Sequence, residues 1–353
     1  MHERLSTDGG ELLVVHGTPK GAQLRRADAA TAEWAAQTEV WNRTFRGIEL
    51  KFRPAVAGLA KRHDVVVMEL EAANLNAWYW YLRNTRCPIV LWGHGKSYTA
   101  PERRTGRLLE VFLARQASHV MTYTADGREE LISAGLLPTR VTAVGNANDS
   151  RKLRRLALQS ISRRESILHE LDLSDRVVAL YVGGLDADKR IDYLLAAAEH
   201  ARVREPRFLL VIGGSGELED DVRAAEKHGA VRWIPRFDQE TLARYGAVAE
   251  AIWMPGRIGL VAVDSLALGL PVISADYKYH APEVTYLRPG RELFVFGPTP
   301  AEYAESALAL MHRRRTDPQT RPRPISDIPT VESVVDKIVQ TVATVALSVR
   351  FRK

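Results

Sequence analysis

Along the chain, short apolar runs alternate with longer stretches in which apolar residues return every three or four positions. The runs ELLVVHG (11–17), DVVVMEL (64–70), PIVLWGHG (88–95), SHVMTYT (118–124) and RVTAVGN (140–146) predict strands. After a break come VVALYVGGL (177–185), RFLLVIGG (207–214), AVRWIP (230–235), AIWMPG (251–256), PVISAD (271–276) and ELFVFGP (292–298). Most are almost continuously apolar, the pattern of parallel strands covered on both faces. Helical periodicity fills many of the intervals, as at 102–117, 190–204, 217–228, 301–314 and 331–347. This alternation predicts an α/β protein made of βαβ units, and 353 residues are enough for two such domains.

The break lies around 150–175. Residues 151–164 carry six basic side chains (Arg151, Lys152, Arg154, Arg155, Arg163, Arg164) and no acidic one. TDPQTRPRPISDIP (316–329) reads as a Pro-rich connector. The expected division is an N-terminal domain 1–155, a second domain 156–325, and a last helix within 326–353 that crosses back to the first domain. At the start, HERLS, Gly-Gly and ELLVVHG have two readings. One is the middle of a βα unit whose first strand would precede residue 1; the other is an ordinary N-terminal turn.

Composition then bounds the function. Apolar residues make up 46% and charged residues 26%, the balance of a soluble protein with real cores. No uncharged apolar run approaches the roughly 18–20 residues that span a bilayer, and the start lacks the apolar stretch of a signal peptide. The expected location is the cytoplasm, with a peripheral contact at the inner face of the cell membrane left open. The net charge of +6 calls for an anionic partner such as a phosphorylated donor, a lipid phosphate or a membrane face. No zinc-finger spacing, RNP-type aromatic motif or reading helix points to nucleic acid. Cys87 is the single cysteine, so an intramolecular disulfide is excluded; it reads as a small core residue.

Open α/β sheets bind ligands at the carboxyl ends of their strands, and in the second half those ends hold the informative residues. VVALYVGGL runs into DADKRIDYLL, so Gly183 and Gly184 let backbone approach a ligand, while Lys189 and Arg190 stand at a helix mouth. There a lysine neutralises a diphosphate cradled by backbone N–H groups; a solvated charge pair is the competing reading. RFLLVIGG ends in GGSGELEDD, where Glu219 replaces the third glycine of a dinucleotide loop and the acidic run would repel a pyrophosphate. Gly214 then belongs to a turn that walls a nucleotide pocket, or to a purely structural turn. In MPGRIGLVAVDSLALGLPVISAD (254–276), N–H groups at 259–261 would face an anion. Asp264 lies about one and a half turns into the following helix. It is placed either for ribose hydroxyls or for solvent.

These segments resemble the retaining glycosyltransferases of family 4, which have the GT-B fold. The family signature G-R-L-x-x-x-K, G-x-G, E-x-x-F-G-L-x-x-x-E-A-x-A-x-G-x-P-V-I and P-E appears here as GGLDADK (183–189), GSG (214–216), GRIGLVAVDSLALGLPVI (256–273) and HAPE (280–283). The match runs in order over about 175–310. The first half matches more weakly, through WGHGKSY (92–98) and NAND (146–149), the latter resembling the N-G-x-D before the linker. The resemblance implies two Rossmann-like, doubly wound domains facing a central cleft. It implies transfer of a hexose-type sugar, with retention, from a UDP-, GDP- or dTDP-sugar to a hydroxyl of a saccharide, lipid-linked or small-molecule acceptor. It implies no cofactor and no obligatory metal.

Carried over by residue, Lys189 contacts the donor diphosphate; the backbone of Gly259, Leu260 and Val261 cradles it; Asp264 holds the ribose. His94 lies near the donor sugar and the attacking hydroxyl, against the alternative of a histidine satisfied beside two glycines. Glu283 either contacts the donor or caps a helix start. The chain departs from the pattern in three places. Gly184 stands where the family has arginine, Gly256 where it has the first glutamate of the E-x7-E pair, and Asp264 is shorter than the second. Arg190 or Arg257 would replace the lost cation, and the subgroup would lack the first glutamate. Two further features have double readings. Basic residues at 103–115 (Arg103, Arg104, Arg107, Arg115) among Leu108, Leu109, Val111 and Phe112 form a solvated helix with a core-facing stripe or a face for anionic lipid. WYWY (78–81) packs internally or stacks on an acceptor sugar. The competing functions are an inactive homologue that binds nucleotide sugar or supports a partner enzyme, and a nucleotide-sugar epimerase. An NAD(P)-dependent oxidoreductase is disfavoured by the incomplete glycine fingerprint.

Overall fold

The computed structural model describes residues 1, 5–6, 9–18, 32–45, 48–59, 62–83, 87–98, 104–317, 324–325 and 328–350. Arg103, most of HERLS and most of the Pro-rich connector lie outside them. The chain forms two compact units, Met1–Gly145 with Glu332–Lys353, and Asn146–Val331. The division falls ahead of the expected 155/156 and gives Asn146–Asp149 to the second unit.

The second unit is built on one parallel sheet. Its strands are β9 (Val177–Val182), β10 (Phe208–Gly213), β11 (Val231–Ile234), β12 (Ala251–Trp253), β13 (Val272–Ser274) and β14 (Leu293–Val295). They lie in the order β11-β10-β9-β12-β13-β14, the doubly wound order in which the chain works outward from β9 and then restarts beside it at β12. Every residue of β10 and β12 is buried, as near-continuous apolar runs require. The core fills with large rings. Trp253 packs on Phe208 and meets Tyr303 edge-on, their centroids 4.9 and 5.2 Å away. The Tyr303 hydroxyl donates to the Ile273 carbonyl at 2.8 Å. The covering helices include α5 (Ser150–Ser162), α6 (Arg164–Glu170), α7 (Ile191–Arg204), α8 (Glu219–Glu226), α9 (Gln239–Val248), α10 (Val261–Leu268) and α11 (Pro300–Thr316). Asp149, Asp238 and Thr299 cap α5, α9 and α11 by accepting backbone N–H groups.

The first unit has a parallel sheet of β5 (Val66–Glu69), β6 (Ile89–Gly93), β7 (His119–Thr122) and β8 (Val141–Ala143), in chain order. Alternation along these strands feeds two cores. Leu91 and Val120 face one core with Leu113 and Leu131, which come from α3 (Arg104–Gln116) and α4 (Ala125–Ser133). Val90 and Met121 face the other, where Ile338 and Val345 of α12 (Val331–Arg350) pack. The C-terminal helix therefore supplies part of this unit's second layer. α1 (Pro54–Leu59) precedes α2 (Leu75–Arg83), in which Trp80 is buried, and Trp78 stacks on Phe112 at 5.9 Å, so the WYWY run is mainly packing. Cys87 is half-buried, with its thiol donating to the His63 carbonyl.

Three strands went unread in the sequence. β2 (Ala35–Gln37) pairs in parallel with β1 (Val14–His16). β3 (Trp41–Phe45) and β4 (Ile48–Phe52) form an antiparallel hairpin in which Trp41 opposes Phe52, Arg43 opposes Leu50, and Phe45 opposes Ile48. The apolar–polar alternation of WNRTF and IELKF was the available signal. Trp41 and Phe45 are 60% and 61% exposed. Among the described residues, no helix is long and apolar enough to cross a membrane.

Candidate functional site

In the second unit the strand order turns back between the parallel neighbours β9 and β12, and the loops leaving these two strands carry most of the residues singled out in the sequence. After β9, Gly183 and Gly184 lead into a 3-10 turn at Ala187–Lys189. Arg190 then takes a left-handed conformation (φ 54°) before α7 begins. The Tyr181 hydroxyl, buried beneath, donates to the Gly184 carbonyl at 2.6 Å and fixes this turn. After β12, residues 254–260 lead into α10. The two loops interlock: Arg257 N–H donates to the Asp188 carbonyl (2.9 Å), and Lys189 Nζ donates to the Arg257 carbonyl (2.6 Å).

That interlock explains Gly256. A Cβ there would lie 2.4 Å from both the Asp188 oxygen and the Lys189 carbonyl carbon. The position of the family's first glutamate therefore has no room for a side chain. Gly214 is similar. Its φ is +150°, and a Cβ would come within 1.9 Å of the Gly183 oxygen, so its lack of a side chain follows from loop packing alone. At Gly184, where the family has arginine, a Cβ would meet only the Asp186 carboxylate, at 2.9 Å.

Gly259 differs from both. A Cβ there would find nothing nearer than the Ala281 Cβ at 3.9 Å. Among the described residues, no acceptor takes the N–H groups of Gly259, Leu260 or Val261. These three donors stand at the positive end of α10. Arg257 lies 3.7 Å from the Asp188 carboxylate, and Arg190 stacks its guanidinium 4.2 Å over the Tyr193 ring. Both expected replacement cations are thus engaged within this loop cluster, beside Lys189.

Asp264 sits on the first turn of α10, partly buried. Burial pushes its carboxyl up to about 6, while the bond it accepts from Asn148 Nδ2 (2.6 Å) opposes the rise. Buried Glu283 accepts from Asn146 Nδ2, and Asn146 N–H donates to the Tyr286 hydroxyl at 3.0 Å. The 3-10 turn Pro282–Tyr286 has no side-chain cap, so Glu283 holds the 146–149 segment instead of capping. Asn146 and Asn148 were legible only as part of NAND and were not singled out.

His280, also unmarked in the sequence beyond its place in HAPE, accepts the Ile258 N–H on Nδ1 at 3.1 Å. Burial, with Lys189 and Arg257 nearby, pushes it down to about 4, so the ring is neutral. Tyr277 lies 5.5 Å from it, ring to ring.

In the first unit, His94 is exposed at the carboxyl end of β6, between the Tyr123 (4.8 Å) and Tyr98 (5.7 Å) rings. Lys96 pairs with Asp126 at the start of α4, and the Tyr98 hydroxyl contacts Thr124 at 3.2 Å. Gly127 packs against the His94 carbonyl with no room for a Cβ. His94 thus stands in a built cluster at strand ends. Among the described residues, no group of three or more His, Cys, Asp or Glu is placed to hold a metal ion.

Residues 176–313, which lie in the second unit, match the family described as Glycosyl transferases group 1. A D-inositol 3-phosphate glycosyltransferase of Jonesia denitrificans is 36% identical over 28% of this chain and 27% of its own length. An alpha-D-kanosaminyltransferase of Streptomyces kanamyceticus is 26% identical over 57% of this chain and 56% of its own. The chain thus spans between about a quarter and a little over half of these relatives. Among solved structures, a Rickettsia africae glycosyltransferase superposes with a TM-score of 0.66 at 11% identity, covering 98% of this chain and 92% of that one. Anabaena HepE, solved with UDP and glucose, superposes at 0.60 with 16% identity, covering 93% and 91%. The fold is that of the GT-B glycosyltransferases, with two Rossmann-like domains.

Proposed function

We propose that the protein is a glycosyltransferase that moves a sugar from a nucleoside-diphosphate donor to an acceptor hydroxyl with retention of configuration. The observation that carries this reading is the set of three N–H groups at 259–261 that have no acceptor among the described residues, beside Lys189, where the strand order of the sheet turns back. In this reading Lys189 and these donors meet the charge that develops on the departing diphosphate. The bond from the anomeric carbon to the phosphate oxygen breaks, the acceptor oxygen bonds to the same face, and its proton passes to the leaving phosphate. Asp264 takes the ribose hydroxyls in exchange for Asn148, and His94 orients the reacting hydroxyl. Jonesia and Streptomyces relatives named for sugar transfer support the class; HepE, solved with UDP and glucose, supports the donor type.

Thermal shift with UDP, GDP, dTDP, their sugars and NAD(P) tests it. One nucleotide sugar should stabilise the protein and NAD(P) should not. Lys189→Ala should lose turnover by about a hundredfold or more; stabilisation by NAD(P) alone would overturn the reading.

A second site of contact is favoured by the charge distribution. The first unit holds 23 Lys and Arg against 17 Asp and Glu, the second 26 against 26, so the whole excess of +6 lies in the first. On the same unit the hairpin exposes Trp41 and Phe45 around Arg43, and α3 exposes Leu108 and Leu109. Interfacial aromatics with basic neighbours suit an anionic lipid surface, which would hold a cytoplasmic protein at the inner face of the membrane. Flotation with phosphatidylglycerol vesicles should capture the protein, with phosphatidylcholine vesicles far less. Trp41→Ser with Phe45→Ser should reduce capture about tenfold. Equal capture by both lipids counts against it.

A further inference from the structure

The N–H groups of residues 257–261 divide into two sets. Arg257 N–H is taken by the Asp188 carbonyl and Ile258 N–H by His280 Nδ1, while the next three have no acceptor among the described residues. Ile258 is 0% exposed, and its carbonyl is taken in turn by Ala281 N–H at 2.8 Å. Both backbone groups of this residue are therefore clamped by the 280–281 segment, and the side chain in the clamp is an imidazole.

We propose that His280 is the positioning residue of the diphosphate loop, holding the Ile258 N–H so that the N–H groups of Gly259, Leu260 and Val261 stay aligned for the phosphate oxygens of a nucleoside diphosphate. This rests on the donor reading of the site. An imidazole nitrogen that receives an N–H carries no proton of its own, so the proton of the neutral ring is on Nε2. Histidine suits the place because it offers an acceptor without adding negative charge where an anion must bind. A carboxylate at 280 would make the same bond and repel the ligand. The low proton affinity of the ring, imposed by burial with Lys189 and Arg257, keeps the acceptor available. Without it, a buried backbone donor is left unsatisfied, and the loop shifts to regain a partner.

The test uses the full chain. The probe is whichever of UDP, GDP and dTDP stabilises the wild type most, paired with its own nucleoside; titrations are followed by calorimetry for the diphosphate and by ligand-observed NMR for the nucleoside. His280→Ala should weaken diphosphate binding by about tenfold or more, equivalent to about 1.4 kcal/mol. His280→Asn, whose side-chain oxygen can accept the same N–H, should restore binding to within about threefold. Nucleoside binding should be alike in all three proteins, because it does not use the loop. If His280→Ala does not fold, His280→Leu, which keeps the bulk without the acceptor, carries the same expectation. Unchanged diphosphate binding in the variant, equal loss of both ligands, or no rescue by asparagine overturns the assignment of His280 while leaving the donor reading intact. A wild type that binds none of the three diphosphates overturns the donor reading and this inference with it.

Discussion

The strand ends of the two units offer ligands different kinds of groups. At β9 and β12 the open groups are backbone N–H donors, set by interlocked loops and a helix start. At β6 and β7 the cluster is made of side chains: His94, Lys96, Tyr98 and Asp126. Net charge runs the opposite way from the expected diphosphate, with the second unit neutral and the first carrying the excess. In the proposed reading, anion binding in the second unit is a matter of local placement. Three oriented dipoles and one lysine act at short range, where an overall charge of zero is irrelevant. A net-charge argument from composition alone would have credited the +6 to the donor, and the structure assigns it to the other unit.

The contrast breaks most severely at the glycines that lock the donor loops. Gly214→Ala and Gly256→Ala each push a Cβ into backbone, so each should destabilise the protein by about 3 kcal/mol or more and lower the thermal midpoint followed by circular dichroism. A wild-type midpoint in either would show that the loops are not interlocked as described. Gly259→Ala separates binding from folding. Its Cβ meets only the Ala281 Cβ, at an ordinary contact distance of 3.9 Å, so the midpoint should stay within about 2 °C, while nucleoside-diphosphate affinity falls about tenfold. Undiminished affinity would remove the 259–261 donors from the site.

The smallest effect is expected at Asp264. Its folded value of about 6 stands above the ordinary 3.8, so between about pH 4 and 6 the folded chain keeps a proton that the unfolded chain has released. Stability therefore falls as pH rises through that window, and at pH 7 the ionised carboxylate is a cost. Asp264→Asn should be more stable than wild type by about 1 kcal/mol at pH 7, with the gap closing toward pH 4. It should also bind nucleotide more weakly. A variant less stable than wild type at pH 7 would mean that the Asn148 bond outweighs desolvation.

Much of the second unit was legible because its signals are local. Continuous apolar runs mark buried parallel strands, and the order of GGLDADK, GSG, GRIGL and HAPE marks loops at their carboxyl ends. The first unit was read less well. The hairpin at 41–52 carries a period-2 pattern only five residues long on each side, interrupted by Arg43 on its apolar face. Its exposed Trp41 and Phe45 look, in sequence, like any other aromatic residues.

What the sequence determined by itself was the class of fold, the alternation of strands and helices, and the residue types available at each loop. Only the tertiary structure decided which loops meet. The sheet sets β12 beside β9, which joins Lys189 to Arg257 across 68 residues; within the same unit Asn148 reaches Asp264 across 116. It also decided why Gly256 is a glycine and which backbone group His280 holds. Periodicity reports how a segment faces its own surroundings. Adjacency depends on which strands share hydrogen bonds, and that is settled only when all of the apolar faces are buried together.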